Sequence, residues 1–358
     1  MSSTPVSNEQ SLHDRRIEET VPLVSPEELL AEHPLDERLA GFVLSSRREV
    51  TAILDREDPR LLVIVGPCSV HDPVAALDYA KRLAKLAGEL PDLLVVMRVY
   101  FEKPRTTTGW KGLINDPHLD DSGDVNAGLR TARHLLLEVL EVGLPIGCEY
   151  LDPITPQYIA DTVAWGAIGA RTTESQTHRQ LASGLSMPIG FKNRTDGNVA
   201  VAVDALRAAA ARHSFAGVEL GGGSAILRTA GNADCHIILR GGRGTTNYDA
   251  DSVADTIERL RSVGLPERVI IDASHDNSGK DHERQPEVAA RIAEQVAAGN
   301  GAIVGVMLES FLEGGRQDLG GPLTYGMSVT DSCMSWDATV EVLRGLDAAA
   351  RSRRESAG

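Results

Sequence analysis

The sequence predicts an α/β chain closed into a (β/α)8 TIM barrel, with an N-terminal extension and a β-hairpin inserted before the sixth strand. Two observations carry that expectation. Short apolar, β-branched runs recur at 61–65, 93–100, 144–150, 165–170, 187–192, 235–240, 268–274 and 302–308. Helix-like segments separate most of them, and another follows the last. That alternation is the pattern of parallel strands joined by helical crossovers. A chain of 358 residues suits a barrel with additions. A doubly wound open sheet is the competing arrangement.

Taken in order, residues 1–20 are polar and read as solvated. Residues 18–50 form a helical preface, so 1–50 is set apart as an extension for regulation or assembly. The barrel is assigned to 51–350. LLVIV opens it, and DPVAALDYAKRLAKLAGEL supplies the first crossover helix. LLVVMRVY and NAGLRTARHLLLEVLEVG follow, then LPIGCEY with ITPQYIADTVAW. WGAIGA and MPIGFK lead to NVAVAVDALRAAAARH. SFAGVELGGGSAILRTAGN then breaks the rhythm with two short runs around a Gly-rich turn, read as a hairpin at 214–228. CHIILR, RVIIDAS and AIVGVML complete the strands, and WDATVEVLRGLDAAARS closes the chain of helices. The tail 351–358, RSRRESAG, reads as disordered.

Composition narrows the function. Thirty-six basic residues stand against 51 acidic ones, a formal charge of −15. This argues against nucleic acid or an anionic membrane as the main partner. No run reaches the ~18 apolar residues of a membrane span, and MSSTPVSNEQSLHDRR is no secretory signal. The 4 cysteines show no CxxC pair and read as free thiols in a cytoplasmic chain.

Barrel active sites lie at the C-terminal ends of the strands. The residues falling there are Cys68, Arg98, Lys103, Arg105, Thr106, Glu149, Arg171, Lys192, Arg240, Asp272, His275 and Glu309, with Asp331 in the loop after the last strand. They sort into two sets. Arg98, Lys103, Arg105, Arg171, Lys192 and Arg240 would repel one another unless anions lay between them. Guanidinium forks suit phosphate and carboxylate. Cys68, His275, Glu309 and Asp331 offer a donor mixture for Mn2+, Fe2+, Co2+ or Zn2+ without choosing among them. Each has a blander reading too. Any one cation could serve a surface ion pair. Cys68 could be a small buried apolar residue. His275 could cap a strand, Glu309 could sit at a helix start, and Asp331 could cap a helix.

The motifs GPCSVHDP, MRVYFEKPRTTTGWKGLINDP, GAIGARTTESQTHR, GFKNRTDG, GNADCHIILRGGR, IDASHDNSGK, GVMLES and YGMSVTDSC resemble those of the 3-deoxy-D-arabino-heptulosonate-7-phosphate (DAHP) synthases. The likeness is to the type I enzymes of the enterobacterial and yeast kind. It runs from about residue 15 to about 350. KPRT distinguishes it from the synthases that make 3-deoxy-manno-octulosonate 8-phosphate. The resemblance implies a transferase that condenses phosphoenolpyruvate with erythrose 4-phosphate and water, opening the shikimate route to chorismate and aromatic amino acids. It implies a metal held by Cys68, His275, Glu309 and Asp331. It places the phosphate of phosphoenolpyruvate on Arg171 and Arg240, and its carboxylate near Arg98, Lys103 and Lys192. Arg105 and Thr106 would take the phosphate of erythrose 4-phosphate. Lys103 and Glu149 would act as proton donor and water-orienting group.

The same resemblance implies an inhibitor site for an aromatic amino acid, Tyr or Phe ahead of Trp. Ile17, Pro156, Ser186 and Phe215 would surround it, with Gly217 at a position tied to effector choice. It also implies a homodimer or homotetramer. VELGGGSAI matches the relatives poorly, and Arg194 replaces a usual Gly. Two alternatives share part of the pattern: a related phosphoenolpyruvate–sugar phosphate synthase, and a regulatory paralogue that binds an aromatic amino acid.

Overall fold

The computed structural model describes residues 12–105 and 107–357. Helices α1 (Pro26–Glu32) and α2 (Glu37–Leu54) come first. The barrel then runs β1 (Leu61–Gly66), α3 (Pro73–Ala87), β2 (Leu93–Arg98), α4 (Val125–Glu141), β3 (Ile146–Glu149), α5 (Pro156–Ile159) and β4 (Trp165–Ile168). It continues through α6 (Gln176–Ala182), β5 (Ile189–Lys192) and α7 (Ala200–Ala209) to a hairpin, β6 (Ser214–Val218) with β7 (Ser224–Arg228). Then come β8 (His236–Leu239), α8 (Ala250–Ser262), β9 (Val269–Asp272), α9 (Gln285–Ala297), β10 (Ile303–Glu309) and α10 (Trp336–Ala357). All barrel strands pair in parallel and close in the order β1-β10-β9-β8-β5-β4-β3-β2.

The strands are apolar on both faces because both faces are covered. Side chains such as Val63, Val65 and Ile271 pack outward under the helices. Ile64, Val96, Trp165, Ile238 and Met307 form a separate interior cluster. Room for Trp165 comes from glycines. A Cβ on Gly190 would sit 2.9 Å from the indole and 2.5 Å from Ile238, and one on Gly147 would sit 3.2 Å from the indole. The indole N–H donates to His236 Nε2 at 3.0 Å. The last turn of α2 completes this interior cluster with Val50, Ile53 and Leu54. The preface therefore runs past residue 50, because its final apolar residues plug the N-terminal mouth of the barrel.

Several helices start where the sequence offers a cap. Ser25 and Glu28 form a reciprocal capping box at α1. Asp36, Asp72, Asp124 and Asp249 accept from first-turn N–H groups of α2, α3, α4 and α8. Two elements differ from expectation. The short α6 between the fourth and fifth strands has no apolar stripe to announce it and rests on the Ser175 cap. The tail expected to be disordered from 351 instead continues α10 to Ala357. Arg351 and Arg354 both reach the buried Asp92, at 3.0 and 2.7 Å. Arg353 donates to the Ile303 carbonyl. Such anchoring outweighs the polarity of the segment.

Candidate active site

The C-terminal ends of the strands converge on one polar pocket. Lys103, Glu149, Arg171, Lys192, Arg240 and His275 line it, with Asp331. At its base, the donor atoms of Cys68, Glu309 and Asp331 lie within 4.8 Å of one another. His275 turns Nδ1 to Asp272 Oδ2 at 2.8 Å, which leaves Nε2 3.8 Å from Glu309 Oε1. Burial pushes the His275 pKa down, so its ring is neutral and can ligate. Glu309 is fully buried, and its Oε2 has no hydrogen-bond partner. Such an atom is costly unless a cation or donor meets it. A thiol, an imidazole and two carboxylates around it fit a divalent transition metal.

Cations surround this cluster. Lys103 Nζ lies 2.6 Å from Cys68 Sγ and 3.3 Å from Asp331 Oδ2. Burial alone would discharge it, but Cys68, Asp331 and Glu309 together raise its pKa and keep it protonated. Burial, reinforced by Glu309, pushes the Cys68 thiol up to about 11. Lys103 opposes that rise, and a bound cation would oppose it further. Burial works against ionisation of Asp331, yet Lys103 and Lys280 hold its carboxyl well below the usual range. Arg98 lies beneath the pocket, 1% exposed. It stacks on Tyr100 at 3.8 Å and donates to Glu309 Oε1 at 3.0 Å and to the Cys68 carbonyl at 3.2 Å.

Lys192 pairs with the fully buried Asp272 at 3.1 Å. Burial would raise the Asp272 pKa, but His275 and Lys192 hold it well below the usual range. Arg240 pairs with Asp276, and its Nε is buried with no partner. Glu149 is half-buried, its carboxylate against the Cα of Gly169. Arg171 stands exposed at the mouth.

The structure thus gathers most of the residues singled out in the sequence. Arg105 is exposed, folds over Gly109 and does not line the pocket. Thr106 lies outside the described residues. Sequence reasoning missed Lys280, which lines the pocket and lies 3.5 Å from Asp331. Its place in IDASHDNSGK, five residues after His275, was the available signal. It also missed Asp276 as the partner of Arg240 and Thr195 in the wall.

A second pocket, of about 390 Å3, lies where the hairpin meets the barrel. Pro156, Ser186 and Phe215 line it, together with Pro153, Gln157 and Ile226. Gly217 pairs with Ala225 across the hairpin, and a Cβ on it would lie 2.5 Å from Leu227 Cδ1. Ile17 is 52% exposed and does not line this pocket.

A family model described as the DAHP synthetase I family matches residues 39–344. A protein of Corynebacterium glutamicum named phospho-2-dehydro-3-deoxyheptonate aldolase is 55% identical over 367 residues, covering 99% of this chain and 100% of that one. The Phe-sensitive phospho-2-dehydro-3-deoxyheptonate aldolase of Escherichia coli K12 is 56% identical over 344 residues, covering 95% of this chain and 98% of that one. The solved structure of phospho-2-dehydro-3-deoxyheptonate aldolase from Francisella tularensis SCHU S4 superposes with a TM-score of 0.93 at 49% identity. It covers 94% of this chain and 99% of that one.

Proposed function

The chain belongs to the DAHP synthetase I family, and we propose that it condenses phosphoenolpyruvate with erythrose 4-phosphate and water to DAHP and inorganic phosphate. The observation that carries this reading is one pocket at the barrel mouth that joins a Cys–Glu–Asp cluster to Lys103, Arg171, Lys192 and Arg240. Two polyanionic substrates need such a set to be held together against their repulsion.

Cys68, Glu309, Asp331 and the Nε2 of His275 would hold the metal, one of Mn2+, Fe2+, Co2+ or Zn2+. When bound, it supplies Lewis acidity toward the aldehyde carbonyl. The chain's own groups do the rest. Arg171 and Arg240 bind the phosphate of phosphoenolpyruvate, the unpartnered Nε of Arg240 giving it a donor beyond the Asp276 pair. Lys192 and Lys103 face its carboxylate. Arg98 acts from beneath, fixing Glu309 and the Cys68 carbonyl. Carbon 3 of phosphoenolpyruvate bonds to the aldehyde carbon, and Lys103 delivers its proton to the aldehyde oxygen. Water adds to carbon 2, oriented by Glu149, which takes a proton. The carbon–oxygen bond to phosphate then breaks, and phosphate leaves. Arg105 and Thr106 take the phosphate of erythrose 4-phosphate.

The hairpin pocket binds an aromatic amino acid, Phe or Tyr, that inhibits the enzyme. Its size is within the range of small-ligand sites, and the relative named Phe-sensitive is 56% identical. The exposed Ile226 of the hairpin belongs to a contact between copies in a homodimer or homotetramer. The test is phosphate release from phosphoenolpyruvate with erythrose 4-phosphate, after EDTA and after Mn2+ is restored. Release that EDTA abolishes and Mn2+ restores supports the reading. Release with arabinose 5-phosphate alone, or none with any metal, would overturn it.

A further inference from the structure

Glu102 is the residue next to Lys103, and neither the metal cluster nor the substrate cations use it. It is 5% exposed. Its backbone is clamped, since a Cβ on Gly112 would meet Glu102 Cα at 2.8 Å and the Phe101 carbonyl oxygen at 1.9 Å. Its side chain reaches 49 residues along the chain to the loop between β3 and α5. Leu151 N–H donates to Oε2 and the Thr155 hydroxyl to Oε1, each at 3.4 Å.

That loop is a wall shared by two pockets. Leu151 lines the active site. Pro153 of the loop lines the hairpin pocket, together with Pro156 and Gln157 at the start of α5. Gln157 also donates to the Val218 carbonyl at the end of β6, and His178 on α6 bonds the Leu151 carbonyl at 2.7 Å. Thr155, which donates to the Glu102 carboxyl, directly precedes Pro156 and Gln157 and so links the hairpin pocket to Glu102 through the chain. We propose that Glu102 is the positioning residue through which the hairpin pocket acts on Lys103. The inference rests on the reading of that pocket as an amino-acid site.

The chemistry of the joint provides a test. Burial, aided by Asp152, raises the Glu102 pKa to about 8, against the N–H groups of Leu151 and Asp152. The charged or titratable groups facing it are Asp152 on the loop and Glu149, Cys148 and Tyr150 on and after β3. Lys103 follows it in the chain. Below pH 8 the carboxyl is neutral and fits between its partners. As pH rises through the region of 8 it gains a charge beside Asp152 and Glu149, and their repulsion works against its bonds to the loop. Glutamine is uncharged at every pH; its carbonyl accepts from Leu151 N–H, and the Thr155 hydroxyl, which donates to Oε1 in the wild type, turns to accept from the amide.

The experiment compares wild type, E102Q and E102A. Half-inhibition of phosphate release by L-phenylalanine and L-tyrosine is measured at pH 7 and pH 9, and calorimetry follows binding of each amino acid to the substrate-free protein. At pH 7, E102Q is inhibited like wild type, and E102A needs on the order of tenfold more amino acid. At pH 9, wild type needs on the order of tenfold more than E102Q, a ratio that cancels the amino acid's own titration. Calorimetric binding is the same in all three. The proposal is overturned if E102A is inhibited like wild type at pH 7, or if wild type and E102Q coincide at pH 9. If wild type binds neither amino acid, the effector reading fails and takes the coupling with it. If wild type binds and is inhibited but the variants follow it, only the coupling fails. Because E102A can be lost to misfolding, the E102Q comparison at pH 9 stands on its own.

Discussion

Gly169 offers a way to move the Glu149 carboxylate without removing it. A Cβ built on Gly169 would lie 2.0 Å from Glu149 Oε1, with Glu149 Cδ at 3.3 Å and Thr172 Oγ1 at 3.8 Å. Gly169 does not have a left-handed φ, so alanine meets no backbone strain there. The clash is with the far end of a flexible side chain. It is relieved when the carboxylate retreats by about 1.4 Å, from 2.0 Å to the 3.4 Å of ordinary contact. A displacement near 1 Å at a reacting group can cost ~100-fold in rate. G169A should therefore lower kcat by 10- to 100-fold, about 1.4–2.7 kcal/mol of transition-state stabilisation. Folding stability should change by less than about 1 kcal/mol, since a Gly→Ala change at a permitted φ also restricts the unfolded chain. The assay is steady-state phosphate release, with melting temperature and metal content as controls. E149A and the double variant E149A/G169A complete a cycle. If G169A acts through Glu149, the double variant is no slower than E149A. A kcat for G169A within threefold of wild type, or losses that multiply in the double variant, would refute the reasoning.

Two further tests address the frame around the site. Truncation after Ala350 removes both arginines from the buried Asp92; an uncompensated buried carboxylate should cost about 3–5 kcal/mol, read as an earlier urea midpoint, and an unchanged midpoint would return the tail to a dispensable role. His236 is fully buried and its pKa is lowered by burial from 6.5 to about 3. The unfolded chain therefore binds a proton below pH 6.5 that the folded chain refuses, so this stability is intact above 6.5 and is lost as pH falls toward 3. At pH 5 the loss is about 2 kcal/mol; H236Q, which can still accept from Trp165, should flatten the slope of urea stability between pH 7 and 5, and an equal slope in both proteins would count against it.

What the sequence reveals and what it hides follow from the range of the interactions. The barrel strands are legible because a parallel strand covered on both faces must be apolar throughout, as in LLVIV and CHIILR. The site is legible because a barrel delivers its chemistry at strand ends, so Cys68, Lys192, His275 and Glu309 can be read off as successive termini. The C-terminal segment RSRRESAG misleads because its partner, Asp92, is 259 residues from Arg351 in sequence. Charge patterning misleads in the same way at the centre. Read in one dimension, Lys192 and Arg240 are cations awaiting anions. In the fold each already faces an acid, Asp272 and Asp276. A buried charge must be paired, yet 51 acidic residues give no hint of which will do it. On the function proposed here, substrate phosphate would compete with Asp276 for Arg240, whose buried Nε has no hydrogen-bond partner. Binding there would then be an exchange of partners within a charged network that the fold has already assembled.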